Sequence, residues 1–364
     1  MKFSQLVISI ISIAGGTTSS VAHASASHGD GVRLHTVRNG ESIQEAIDAA
    51  EPGDVIKVWP GIYTEQASPK YGLRITKNNI KLLAKGKPGS VRLLASNEQE
   101  TGVYAAPDGC EYNDTECGDV LEDFSIEGFS IEGFPANGIQ TRWVDGFKFQ
   151  NCYSVDNLNN GIYPTLSSNG SIVGCKSHGS FDSGLWVAGS VNVTAINNEI
   201  YESTTGFEVT VSKNLYATNN RIHDNVVGIG LYHPNMAGTD PDYPSFDNWV
   251  FENNHVYDNN LPNPAPAGTF QYALQSGVGL LLVGISEHTI KENVFEKNGW
   301  AGFADNGSSP ALNLPGADIL YVQDPTELLG KEDQNCFAGN TSLNGKADAT
   351  SVAPLLPLSD AGCV

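Results

Sequence analysis

Five glycine-led segments place chemically capable side chains at matching positions. They are GIQTR from Gly138, GIYPT from Gly161, GLWVA from Gly184, GFEVT from Gly206 and GIGLY from Gly228. Two residues after the first four glycines stand Gln140, Tyr163, Trp186 and Glu208; four residues after all five stand Arg142, Thr165, Ala188, Thr210 and Tyr232. Two aromatics beside an arginine and a glutamate suit an acidic sugar polymer. β-Elimination from a uronate needs its carboxylate neutralised, a base for the C5 proton and an acid for the leaving oxygen. Arg142 fits the first role. Tyr163, aided by a histidine and with its pKa lowered by the cation, fits the second or third. Trp186 offers a stacking surface, and Glu208 a ligand for sugar hydroxyls or a Ca²⁺ ion. Hydrolysis would instead require two carboxylates flanking the bond, and Glu208 with Asp182 form such a pair from adjacent repeats.

The candidate catalytic set is therefore Tyr163, Arg142, His233 and Glu208. His233 opens a Pro/Gly-rich insertion directly after Tyr232, and a second insertion reads LPNPAPAGTFQYALQSG; long loops on a rigid scaffold often carry function. The candidate substrate-binding set is Trp186, Tyr232, Asp182, His178 and His223. Each has a plainer alternative. Tyr163 and Trp186 also suit packing under a loop, Asp182 suits a turn, and His178 and His223 suit a solvated side of the scaffold.

What positions these residues is a repeat. The glycines step by 23, 23, 22 and 22 residues, and GLLLV at Gly279 and GFADN at Gly302 are again 23 apart. Between Gly228 and Gly279 one repeat carries roughly 28 inserted residues. A second column runs through Cys152, Cys175, Asn198, Asn220, Asn254 and Asn293. Two columns in step predict an all-β, right-handed parallel β-helix with three short strands per coil and asparagines stacked at one turn. Alternation sends Ile139, Ile162, Leu185, Phe207 and Ile229 inward and the two chemical columns outward. Cys152 and Cys175 read as stacked buried thiols. Ile43, Ala46, Ile47 and Ala50 have helical spacing, so the span Ser42–Ala50 reads as a helix capping the apolar end of the solenoid.

The opening SIQEAIDAAEPGDVIKVWPGIYTE, the Asn-rich coils and the NGIYPT rung resemble right-handed parallel β-helix proteins of the pectate-lyase-like superfamily, over roughly residues 34–345. The resemblance implies the fold and a secreted carbohydrate-active protein, with lyases, hydrolases and C5-epimerases as precedents. Mannuronan C5-epimerases carry Tyr-Gly-Phe-Asp-Pro-His on the equivalent rung. Here the Gly and Pro match, but the catalytic positions hold Asn160, Tyr163 and Thr165, and the Asp of the following coil falls at Ala188. The polygalacturonase signatures are absent too.

Bulk properties narrow the partners. The 364 residues carry a net charge of −21, which excludes a nucleic-acid partner. Lys2, the apolar run Leu6–Ala14 and Ala22-His23-Ala24 read as a signal peptide over residues 1–26. Residues 27–364 read as a single β-helix domain with a C-terminal cap from about residue 310. No later run is long enough to span a membrane. Six cysteines suit an oxidising compartment, with Cys110–Cys117 and Cys336–Cys363 as the expected bridges. Five sequons, at Asn113, Asn169, Asn192, Asn306 and Asn340, are candidate glycosylation sites. The functional expectation is a secreted, monomeric lyase on a uronate-containing polysaccharide, requiring no cofactor beyond an optional Ca²⁺. A C5-epimerase, a glycoside hydrolase and a non-catalytic, wall-associated polysaccharide-binding protein stand as alternatives.

Overall fold

The computed structural model describes residues 32–96, 99–232, 248–266, 269, 271, 274, 276–285, 287–299, 316–322, 335–343 and 349–350. Among these residues the strands form three parallel sheets of eleven, ten and ten strands, and every coil contributes one strand to each sheet in turn. The chain is thus a parallel β-helix. The first sheet runs from Leu34–Val37 to Cys336–Ala338. The second, here the rung sheet, carries the glycine-led segments. The third runs from Gly61–Tyr63 to Thr341–Leu343. Ser42 caps the helix Ile43–Ala49, its side chain accepting from the Glu45 N–H. From the loop after the strand Gly61–Tyr63, Glu65 accepts from Ser42 Oγ and from the Ile43 and Gln44 N–H groups, anchoring the helix over the core. Ile43, Ile47 and Ala50 are buried there.

The repeated glycine answers to steric need. A Cβ on Gly161 would lie 1.9 Å from Ser177 Oγ and 2.5 Å from the Gly184 carbonyl oxygen, because the next coil passes directly above. Ile139, Ile162, Leu185, Phe207 and Ile229 are buried in the core cluster. The corner asparagines stack. Each of Asn220, Asn254 and Asn293 accepts from the backbone N–H and the side-chain amide of the asparagine one coil before it, at 2.9–3.0 Å. The ladder continues to Asn340. It supplies partners to buried backbone groups that no strand can reach. Cys152 and Cys175 begin the column as buried free thiols, the Cys152 N–H meeting Cys175 Sγ at 3.4 Å. A second ladder, Asn225–Asn259–Asn298, turns the corner into the rung sheet.

One rung was misaligned from sequence. The strand that pairs with Val278–Val283 is Ala317–Val322, with Leu280 opposite Ile319. The expected rung at Gly302 therefore does not follow Gly279, and Gly302 lies outside the described residues. Strand pairing continues to Thr350, past the start expected for a C-terminal cap.

Cys110 and Cys117 are bonded. Cys336 is disulfide-bonded, and its expected partner Cys363 lies outside the described residues, as do the segment read as a signal peptide and Asn306. Asn113 is exposed, on the disulfide loop. Asn169 and Asn192 are exposed, but each amide donates along a surface ladder that links Asp145, Asn169, Asn192, Asn214 and Asn248. The half-buried Asn340 amide donates to the Ile290 carbonyl inside the corner ladder.

Candidate active site

Register places one outward side chain per rung in a continuous row. Arg74 pairs with Tyr104, Tyr104 with Gln140, Gln140 with Tyr163, Trp186 with Glu208 and Glu208 with Gly230. Tyr163 and Trp186 are aligned by the flanking pairs Ile162–Leu185 and Thr165–Ala188. Alongside runs the row Arg142, Thr165, Ala188, Thr210 and Tyr232. The sequence thus located both rows. It did not foresee that they are covered. Gln140, Tyr163, Glu208 and Tyr232 are buried, and Trp186 and Arg142 half-buried.

The rings of Tyr163 and Trp186 stack, and the indole Nε1 donates to Thr210 Oγ1 at 2.9 Å. Burial pushes the Tyr163 phenol well above its ordinary value, assisted by the nearby Tyr112 and Glu208. This corrects the expectation of a lowered pKa: Tyr163 stays protonated and is no base. Arg142 donates to the Asp114 carbonyl of the disulfide loop, and its guanidinium carbon sits 4.4 Å from the centre of the Trp143 ring.

Asp182 and Glu208, on consecutive coils, make a buried carboxyl pair. Burial raises Asp182 from 3.8 to about 6, against the bond it accepts from Gln271 Nε2 at 2.7 Å. Burial and then the charge of Asp182 drive Glu208 well above the carboxylate range, while the Ser183 hydroxyl, donating to it, pulls the other way. Two like charges in a dry site resist double ionisation, so each carboxyl keeps its proton to a higher pH than it would alone. Gly230 continues the row beside Glu208. A Cβ there would lie 2.2 Å from Tyr232 Oη, so the missing side chain is the space the phenol occupies. The rest of Tyr232 lies in an apolar cluster with Leu274, Val278 and Leu281.

The structure does not bring His178 and His223 to this face. His178 and His223 belong to the third sheet, stacked either side of Tyr201 with ring centres 4.7 and 5.1 Å away. The corner between the third sheet and the rung sheet turns them onto another side of the solenoid, which corrects their assignment to the substrate groove. His233 lies outside the described residues. Among the described residues no group of three or more His, Cys, Asp or Glu side chains is arranged to hold a metal ion. Sequence reasoning missed Tyr104, because the disulfide loop lengthens its step to Gln140 and hides the repeat. It missed Gln271 because only the folded insertion brings that amide to Asp182.

Residues 99–237 and 137–314 match the family described as right handed beta helix region. Among solved structures, the chain is similar to the A-module of mannuronan C-5 epimerase AlgE6 of Azotobacter vinelandii, with TM-score 0.56 and 16% identity, covering 84% of this chain and 83% of that one. The AlgE4 A-module of the same organism gives 0.52 and 14%, over 85% and 88% of the two chains. DFA-IIIase from Arthrobacter chlorophenolicus A6, without its lid and in complex with GF2, gives 0.54 and 12%, over 87% and 92%. At such identities the likeness is one of fold. No curated protein matches the sequence.

Proposed function

Because this chain belongs to the right-handed β-helix family, whose scaffold leaves the chemistry open, we propose a function from the site itself: a secreted carbohydrate-active enzyme that breaks a glycosidic bond with Asp182 and Glu208 as its proton-transfer pair. The observation that carries this reading is the buried pair on consecutive coils, with Asp182 raised to about 6 and Glu208 raised beside it. Such a pair offers a protonated carboxyl to the leaving oxygen and an ionised one to activate water or attack carbon. The Tyr163–Trp186 stack supplies an aromatic wall next to it. Export is supported by the Cys110–Cys117 bridge and by the N-terminal sequence. No helix among the described residues is long and apolar enough to cross a membrane. In the AlgE modules and DFA-IIIase, whose names denote action on mannuronan and a DFA-III sugar, the scaffold bears carbohydrate chemistry.

Epimerisation with the mannuronan-epimerase rung has no support here. Asn160 stands at that motif's tyrosine position, and its side chain is spent on Asn137 and the Ser183 N–H. A second reading, β-elimination on a polyuronate, is favoured by Arg142, which has no carboxylate partner among the described residues and, three rungs from Glu208, would hold the carboxylate of a neighbouring sugar rather than that of the reacting one. In that case Asp182 or Glu208, not Tyr163, takes the C5 proton. A panel of neutral and uronate polysaccharides in heavy-oxygen water tests both. Label at new reducing ends, lost in Glu208→Gln, supports hydrolysis. An ultraviolet-absorbing unsaturated product without label supports elimination. Neither product from any member of the panel would leave the binding-only alternative and reject the enzyme.

A further inference from the structure

Arg142 is an oddity in a chain of net charge −21. Its contacts are a backbone carbonyl and an indole face, and its Nε is buried without a partner. Two neighbours share the condition. Gln140 Nε2 and Tyr104 Oη, from side chains that are both 0% exposed, are also buried and unbonded. The Gln140 oxygen is already taken by Asn137 Nδ2 at 3.0 Å, so only its donor end is free. Tyr104 and Gln140 are opposite one another on adjacent rungs, and Arg142 follows two residues along the same strand face.

The wall behind these groups is stiff. Tyr104 stacks on Tyr71 with ring centres 4.4 Å apart, and the Arg74 guanidinium lies 4.8 Å from its centre. Arg74 also donates to the Ala106, Pro107 and Cys110 carbonyls, which fixes the root of the disulfide loop. Glu111 on that loop is engaged by Tyr71 Oη and Lys70. A guanidinium and the NH₂ end of an amide only donate, and a phenol donates readily. Buried donors left unbonded are costly, so a rigid set of three suits a group that only accepts.

We infer that Tyr104, Gln140 and Arg142 form an oxyanion subsite for the carboxylate or sulfate ester of an acidic sugar. The inference rests on the carbohydrate reading above and adds what that reading leaves open, the charge of the substrate and where it is recognised. Gln140 stands three rungs from Glu208, roughly 14 Å at about 4.8 Å per strand. The anionic group is therefore read away from the bond being broken, with the Tyr163–Trp186 stack between.

The test uses binding to the full mature Glu208→Gln protein, so that it stands whether or not the cleavage assignment is right. Galacturonate oligomers, sulfated galactose oligomers and neutral galactose oligomers are titrated calorimetrically. At least tenfold tighter binding of one anionic class is expected, and which class wins identifies the oxyanion. Arg142→Met combined with Gln140→Leu should bring that class down to the neutral affinity. Tyr104→Phe keeps the ring stack and removes one orphan hydroxyl. It should raise the melting temperature while weakening the anionic ligand several-fold, a combination that a purely structural tyrosine would not give. Equal affinity for neutral and anionic oligomers, or an undiminished anionic preference in the variants, overturns the subsite.

Discussion

Tyr163 lies flat on Trp186, with ring centres 4.6 Å apart and planes inclined by 16°. The two residues come from adjacent coils, 23 positions apart, and the phenol is buried beneath the face it was expected to serve. A stack of this kind contributes about 0.5–1.5 kcal/mol beyond its buried area. Its role next to the carboxyl pair is that of a wall.

Tyr163→Phe keeps that wall, and burial already holds the phenol neutral. Turnover should fall by less than about tenfold, below the span typical of a lost acid–base group. Trp186→Ala removes the stack and the bond to Thr210, and should raise KM more than it lowers kcat. Steady-state kinetics on the substrate found by the panel separates the two.

Glu208→Gln and Asp182→Asn should each cost about 100-fold or more in kcat, since each deletes a proton-transfer group. The double variant should lose little beyond either single one, as expected for residues acting as a unit. Multiplying losses in the double variant would show that the carboxyls do not act together. Gly230→Ala, which drives a methyl into Tyr232 Oη, should also impair turnover by shifting the phenol beside Glu208.

Asp182 and His288 bend acid stability in opposite directions. Asp182 rises from 3.8 to about 6 on folding, so the folded state holds the extra proton and stability falls as pH climbs through that window. His288, stacked on Trp249 at 4.2 Å, drops from 6.5 to about 3 through burial, so stability is lost as pH falls through that range. At about 1.36 kcal/mol per unit the two effects are on the order of 3 and 5 kcal/mol and oppose one another, leaving a net loss on the order of 2 kcal/mol toward acid. Asp182→Asn should therefore be more stable than the parent at neutral pH. His288→Asn, which retains an acceptor for the Trp249 N–H, should resist acid better. Denaturant titrations at several pH values read both slopes.

The corner ladder should be the most sensitive part of the scaffold away from the site. Asn220→Ala strips the acceptor from the Asn198 N–H and amide and the donor from the Ala195 carbonyl. Each buried group left unbonded costs about 1–3 kcal/mol. Cys175→Asn should act oppositely, replacing the thiol that the Cys152 N–H meets at 3.4 Å with an amide oxygen, for a gain of about 0.5–1.5 kcal/mol. Thermal unfolding of the two variants would show whether the signs differ.

The amino-acid sequence by itself determined the coil. In a solenoid each residue's main neighbours stand one repeat away, so the need for a glycine under the next coil's carbonyl, an apolar residue inside and an asparagine at the corner is rewritten every 22 or 23 positions. That is why Gly161, Ile162 and Asn198 could be placed without coordinates, and why Tyr163, Trp186 and Glu208 could be set in one row. The repeat is silent where insertions break it: it put a rung at Gly302, where the pairing strand is Ala317–Val322, and it lost the step from Tyr104 to Gln140. Nor does period tell which corner separates two outward rows, so His178 and His223 were drawn toward a face they do not share. What only the tertiary structure decided is protonation. The state of Asp182 and Glu208 depends on water being excluded and on Gln271 arriving from 89 residues away, and desolvation by a folded-over loop leaves no periodic trace in the chain that causes it.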